Sequence, residues 1–299
     1  MRTIMRQGRW TPWMYLAPAL LILGVFVVFP TIRTTIFSFQ NNAGTGPATD
    51  NCIQGQACWG ILENFHQALA SDQGQVAIRN TFLWILIMVP GTVILGLLMA
   101  MLTNNISYGA LAKAIIFMPM AISFVGAAII WRFVYHPDPN IGILNALVTS
   151  LGLPAQAWLA APPPLNTMLL IVIGVWIWTG FTMTILAAAI RNVPTEIVEC
   201  ARVDGATELT VFRRIILPEI APTVAVVLTV MAINTMKMFD IVWVMKGVQT
   251  DVLATRMVEE LFLFRNSGLA AAYAMILIAL IIPVTVYNIR RFSLEESNR

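Results

Sequence analysis

The stretch ECARVDGATELTVFRRIILP, Glu199 to Pro218, carries three acids and three arginines in a chain of 299 residues that is 58% hydrophobic and only 11% charged. Apolar runs long enough to cross a membrane flank it on both sides. Soluble domains carry about 25% charged residues. A mean hydropathy of +0.78 instead suits a bundle of membrane helices, in which each backbone polar group is paired within its own segment. The quoted stretch is therefore a polar, glycine-hinged segment between two membrane helices. Its side of the membrane and its local folding decide the architecture.

A spanning helix needs about 20 mostly apolar residues. Six runs meet that length: 14–39, 78–103, 111–135, 165–190, 219–241 and 268–290. The basic N-terminus MRTIMRQGRW precedes a run too long for a signal-peptide core, so the first run is expected to be an uncleaved helix. An even number of spans puts both termini on one side. Eleven lysines and arginines fall on that side, in the tail 1–13, the links 104–113 and 191–218 and the C-terminal end. The loops 40–77, 136–164 and 242–267 hold three, Lys246, Arg256 and Arg265. The positive-inside rule then predicts cytoplasmic termini and a cytoplasmic 191–218 segment.

Within that segment, Pro194–Val203 predicts a short helix, with proline near the start and acids in the first turn. Gly205 can take a positive φ without steric cost, so the chain can turn there. Thr207–Leu217 predicts a second helix with Thr207 as N-cap, its arginines late where the helix dipole favours cations. Pro218 is expected to mark entry into the fifth span. The result is a helix–turn–helix whose Ile197, Cys200, Ala201, Leu209 and Phe212 can present a mixed apolar surface. One reading is an ordinary amphipathic loop packed on its own bundle. The sharper one is a docking unit, since bundles rarely need so long a link.

Cys52 and Cys58 lie in one outer loop and are candidates for a local disulfide, the alternative being two unpaired thiols. Cys200 is expected to pack as a small apolar side chain. With two distant histidines, His66 and His136, a metal site is not expected. No basic patch interleaved with aromatics points to nucleic acid. Trp59–Leu69 predicts an amphipathic helix on the outer surface, and prolines 162–164 predict a stiff, non-helical lead into the fourth span.

Glu199, Ala201, Asp204, Gly205, Ala206, Ile215, Leu217 and Pro218 reproduce the E-A-A-x-x-D-G-A and I-x-L-P pattern of permease subunits of binding-protein-dependent type I ABC importers, with Cys200 for the first alanine. The chain resembles the carbohydrate branch elsewhere too, in the first span, in GILENF, and in MKMFDIVWVM; Thr250–Phe262 resembles permeases for α-glucosides such as trehalose and maltose. The resemblance implies an all-α, six-span permease of a bacterial plasma membrane. It implies a heterodimer with a second permease, surrounded by membrane lipid. It implies an extracytoplasmic sugar-binding protein and two cytoplasmic ATPase domains that bind ATP and magnesium. Residues 191–218 would be the coupling element seated on an ATPase subunit, with Phe212 among its contacts. The chain itself has no G-x-x-x-x-G-K-[ST] loop, so it is expected to be non-catalytic, without a cofactor of its own.

Polar groups at membrane depth usually face a cavity or the bundle interior. The fifth span ends with Asn234, Thr235, Lys237, Met238 and Asp240; Lys237 and Asp240 could pair at i, i+3, or be a snorkelling lysine and an interfacial acid. The fourth span carries Trp178 and Phe181. Aromatic faces and amide or hydroxyl groups suit sugars, while helix packing is the alternative for each residue. Resemblance to maltose-type permeases places Trp178 and Phe181 at sugar-lining positions, with Asn234, Thr235 and Met238 near those of the fifth span. Those permeases carry more asparagine there, extra N-terminal helices and a large outer domain, so contacts with the binding protein are expected to differ. The rival readings are an importer permease for another solute, such as glycerol phosphate or amino acids, an ATPase-independent secondary carrier, and a scaffold.

Overall fold

The computed structural model describes residues 11–40, 62–104 and 106–297. Cys52 and Cys58 lie outside the described residues. Among the described residues five helices are long and apolar enough to cross a membrane: Trp13–Phe37, Asp72–Asn104, Leu165–Arg191, Glu208–Val244 and Ser267–Val286. A sixth is formed by two pieces, Gly109–Ala121 and Phe124–Val134, bent by 101°.

That bend corrects the expectation of one continuous span over 111–135. The helix Gly109–Phe117 tightens into a 3₁₀ turn, Met118–Ala121. Pro119 has no N–H to continue the ladder. Ser123 is then extended, at φ −63° and ψ 149°, and its side chain caps the next helix by accepting from the Gly126 amide. The fifth span also departs from the expected start after Pro218. Helical backbone runs from Glu208 to Met236 through a π-turn at Phe212–Ile216. Pro218 cannot donate, and the wider turn just before it accommodates its ring. The break comes at the far end, where Lys237–Phe239 leave the helix before Asp240–Val244.

The chain divides into two compact units, residues 1–70 with 257–276 and residues 71–256 with 277–299. In the first, Asn64 is buried on the helix Glu63–Ala70 and donates to the carbonyls of Ser38 and Gln40 at 3.1 and 2.7 Å. Phe39 and Phe65 pack near that junction, ring centroids 5.3 Å apart.

The second unit holds the main core, built on the second span (Asp72–Asn104) and the fourth (Leu165–Arg191). Small residues let the backbones approach, as membrane helices without a hydrophobic drive between them require. A Cβ on Gly96 would collide with the Thr182 hydroxyl, and one on Gly180 would lie 2.6 Å from the Ile116 carbonyl oxygen. The buried Thr182 hydroxyl donates across to the Thr92 carbonyl at 2.8 Å. Around this seam pack Trp84, Met88, Ile173, Ile177 and Met183. The proline-rich lead before the fourth span is non-helical apart from one turn at Trp158–Ala160.

Candidate functional site

The 194–218 segment forms a tight helical hairpin. Its first arm is Thr195–Val203. Gly205 follows at φ +83°, with open space for 4 Å around the point where a Cβ would stand. The Ala206 amide donates to the Ala201 carbonyl at 2.9 Å, and the Gly205 amide to that of Arg202 at 3.0 Å. These are the 6→1 and 5→2 bonds of a Schellman cap, which depends on a left-handed residue at Gly205's position. Thr207 opens the second arm, its hydroxyl accepting from the Thr210 amide at 3.3 Å. Arg202 and Glu208 bridge the arms through two bonds, Nε–Oε1 at 2.8 Å and Nη2–Oε2 at 3.1 Å. Hydrogen bonding to the Glu208 carboxylate raises the Arg202 pKa further above its already high value. Both side chains are exposed, so the bridge fixes the turn's geometry more than it stabilises the fold.

The hairpin's apolar side chains are largely unpacked. Val203 is 88% exposed, Leu209 64% and Ile197 51%. Glu199, Asp204, Gly205 and Pro218 are exposed, while Ala201, Ala206, Phe212 and Leu217 are half-buried. Cys200 is also exposed, against the expectation that it packs. It sits on a face of the first arm that nothing among the described residues covers. Because the second arm continues into the fifth span, a displacement of the hairpin is carried by one helix as far as the break at Lys237–Phe239.

The pathway candidates separate into two groups. Trp178 and Phe181 meet edge-to-face, ring centroids 5.6 Å apart, and Phe124 stacks on Trp178 at 6.2 Å and 28°. Met238 is buried in the core against which these rings pack. Asn234 and Thr235 each donate a side-chain bond within their own helix. The Asn234 amide donates to the Val230 carbonyl at 2.9 Å, and the Thr235 hydroxyl to that of Met231 at 2.7 Å. Thr235 is only 2% exposed. Lys237 is exposed at the helix break and Asp240 half-buried beyond it. Among the described residues no ion pair joins them, because the break removes the helical i, i+3 geometry on which pairing depends.

Sequence reasoning missed a set of buried asparagines. Asn80, fully buried on the second span, donates to the carbonyls of Gln249 and Asp251 at 2.7 and 2.9 Å. Asn166, on the fourth, donates to that of Val248 at 2.7 Å. The Thr81 hydroxyl accepts from the Leu253 amide at 3.1 Å. Together they fasten the loop after the fifth span, where Gln249 sits at φ 53°, to the second and fourth spans. An asparagine near the end of an apolar run was the available signal. Asn80→Ala removes two part-buried hydrogen bonds to the loop, so the thermal unfolding midpoint of the purified protein falls by the equivalent of about 1–3 kcal/mol. Among the described residues no group of three or more His, Cys, Asp or Glu side chains could hold a metal ion.

The profile of the family described as "Binding-protein-dependent transport system inner membrane component" matches residues 92–292. The chain is 42% identical to the osmoprotective compounds uptake permease protein GgtC of Synechocystis sp., over 96% of this chain and 100% of that one. It is 39% identical to the alpha-glucoside transport system permease protein AglF of Rhizobium meliloti, over 95% of this chain and 83% of that one. Among solved structures, a chain of a bacterial ABC transporter involved in the import of the acidic polysaccharide alginate superposes with a TM-score of 0.77 at 22% identity, covering 94% of this chain and 96% of that one.

Proposed function

The chain belongs to the family of binding-protein-dependent transport system inner membrane components, and from that premise we propose that it is the pathway subunit of an ATP-driven carbohydrate importer. It is a transport component and not itself an enzyme. Its substrate is a di- or oligosaccharide such as an α-glucoside, received from an extracytoplasmic binding protein. A second, related permease completes the pathway. Two ATPase domains hold ATP and Mg²⁺, and one of them docks on the hairpin, which lies with both termini in the cytoplasm.

The hairpin carries this reading. It has a Schellman-capped turn at Gly205, a bidentate bridge across the arms and exposed valine, leucine and isoleucine side chains. A loop that only joined two spans would not need such a rigid apolar surface. Its second arm is continuous with the fifth span, so closure of the ATPase pair turns that helix as a lever. The asparagine-fastened outer loop stays with the second and fourth spans, and the break at Lys237–Phe239 takes up the difference. The likeness to an α-glucoside permease favours the sugar. The likeness to an osmoprotectant permease favours a second reading, a small osmoprotective solute.

Co-expression with the candidate ATPase, second permease and binding protein, followed by uptake into proteoliposomes, tests the reading. Uptake is expected to need internal ATP and to fall to background with a non-hydrolysable analogue. Equal uptake without ATP establishes a secondary carrier instead.

A further inference from the structure

The far end of the third span carries a cavity that the transport reading does not use. It measures about 520 Å³ and lies between the helix Phe124–Val134 and the turn Trp158–Ala160. Ile129, Phe133, Trp158 and Leu159 give it apolar walls, and Arg132 and His136 also line it. The walls are held from behind. The Trp158 indole N–H donates to Asn145 Oδ1 at 3.2 Å, and the Tyr135 hydroxyl donates to the Leu169 carbonyl at 3.0 Å. Arg132 stands in the last turn of its helix, where a cation suits the dipole. Among the described residues, however, its guanidinium pairs with no carboxylate. The lining contains no acid. Nearby Asp138 turns its Oδ1 to Asn140, accepting from that residue's amide and side-chain nitrogens at 2.9 and 3.0 Å. The Asp138 amide donates to His136 Nδ1 at 3.1 Å, so the neutral ring keeps its proton on Nε2 as a second donor. Two donors without a counter-ion thus stand beside walls that suit hydrocarbon.

We propose that this cavity binds an anionic phospholipid, with the phosphodiester on Arg132 and His136 Nε2–H and the start of an acyl chain along Ile129, Phe133 and Leu159. A cavity of this volume takes a phosphoglycerol group and the first methylenes, and the rest of the lipid stays in the bilayer. Charge and placement select this occupant. Ile129 and Phe133 are 47% and 59% exposed on a segment apolar enough to lie in a membrane, so the groove opens along hydrocarbon. In the orientation proposed above it meets the outer leaflet. An arginine fork binds a phosphate through paired charge-assisted bonds, and a membrane supplies the anion and the chain in one molecule. A polypeptide over the same face buries Arg132 and has to bring an acid of its own. The inference does not depend on which solute is carried.

The test uses the full chain purified with its partner subunits and stripped of lipid in detergent. It is titrated with dioleoyl phosphatidylglycerol while native mass spectrometry counts the bound lipid. The parent is expected to hold one lipid more tightly than the rest, and to prefer it to dioleoyl phosphatidylcholine. Arg132→Gln is expected to weaken that lipid about 10-fold, the size of one charge-assisted hydrogen bond, with Arg132→Lys keeping most of the binding. Arg132 is exposed, so the lipid-free melt of Arg132→Gln should match that of the parent. Equal phosphatidylglycerol affinity in the parent and Arg132→Gln overturns the site. So does a parent that holds both lipids equally, a comparison that stands even if the variant fails to assemble. Displacement of the tight lipid by millimolar inorganic phosphate marks a site for free anions and overturns the lipid assignment. Loss of a partner subunit from Arg132→Gln with lipid binding unchanged marks a subunit interface and overturns it too.

Discussion

Replacing Gly205 with valine is expected to lower ATP-driven uptake by about 100-fold while leaving the chain inserted in the membrane. The reason lies in the backbone. Gly205 is held at φ +83°, a region in which a β-branched residue is strained by about 1–3 kcal/mol. Nothing lies within 4 Å of a Cβ placed there, so the penalty is not a clash with a neighbour that could step aside. It is relieved only by moving φ, and that breaks the two cap bonds to Ala201 and Arg202. The arms then separate, the Arg202–Glu208 bridge opens, and the surface offered to the ATPase loses its shape. The spans are untouched, so membrane yield should hold. A graded series separates conformation from bulk. Asparagine tolerates left-handed backbone, alanine less well, and valine least. ATP-dependent uptake should therefore fall in the order Gly, Asn, Ala, Val, with valine down by about 100-fold if about 3 kcal/mol is lost at the docked surface. Equal activity across the series would mean that the hairpin transmits no force.

The hairpin was legible in the sequence because each of its signals is local. Pro194, Gly205 and Thr207 act on residues within one turn of themselves, and the structure uses them as a helix start, a left-handed cap and an N-cap. The count of apolar runs was legible for the same reason. The 101° bend was not, because apolar residues continue on both sides of Pro119 and a proline alone does not say whether a span kinks or breaks. The path through Pro218 differs in the opposite sense: the sequence offers a proline as a boundary, and a π-turn absorbs it. Cys200 looked like a packing residue because it is small, but packing depends on a partner surface that the described residues do not supply. The remaining features depend on residues far apart in sequence. Asn80 meets a loop 169 to 171 positions away, and Phe124 meets Trp178 only once the third span is broken. Neither pairing leaves a periodic trace in a single chain. For Asn234 and Thr235 the residue types suit a polar pathway, and each also donates a bond within its own helix.

Val203→Asp should separate the chain from its ATPase without disturbing its own fold. Val203 closes the first arm beside the turn and is 88% exposed. In the isolated chain it touches almost nothing, and a surface change of this kind alters stability by about 0.5 kcal/mol or less. Its unfolding midpoint should therefore match that of the parent. In the proposed complex with the ATPase the same position is covered and loses its water. A carboxylate buried there without a partner costs about 3–5 kcal/mol, enough to weaken docking by roughly two to four orders of magnitude. The ATPase should no longer copurify, and uptake should fall to background. Val203→Leu, apolar and only slightly larger, should retain both. Leu209→Asp, on the opposite arm and 64% exposed, should repeat the result if the two arms form one surface. The contrast between an unchanged melt and lost docking carries the inference, because a loop packed on its own bundle would give the reverse. ATPase retained on the Val203→Asp chain, with transport intact, would show that the hairpin's apolar side chains face something other than the motor.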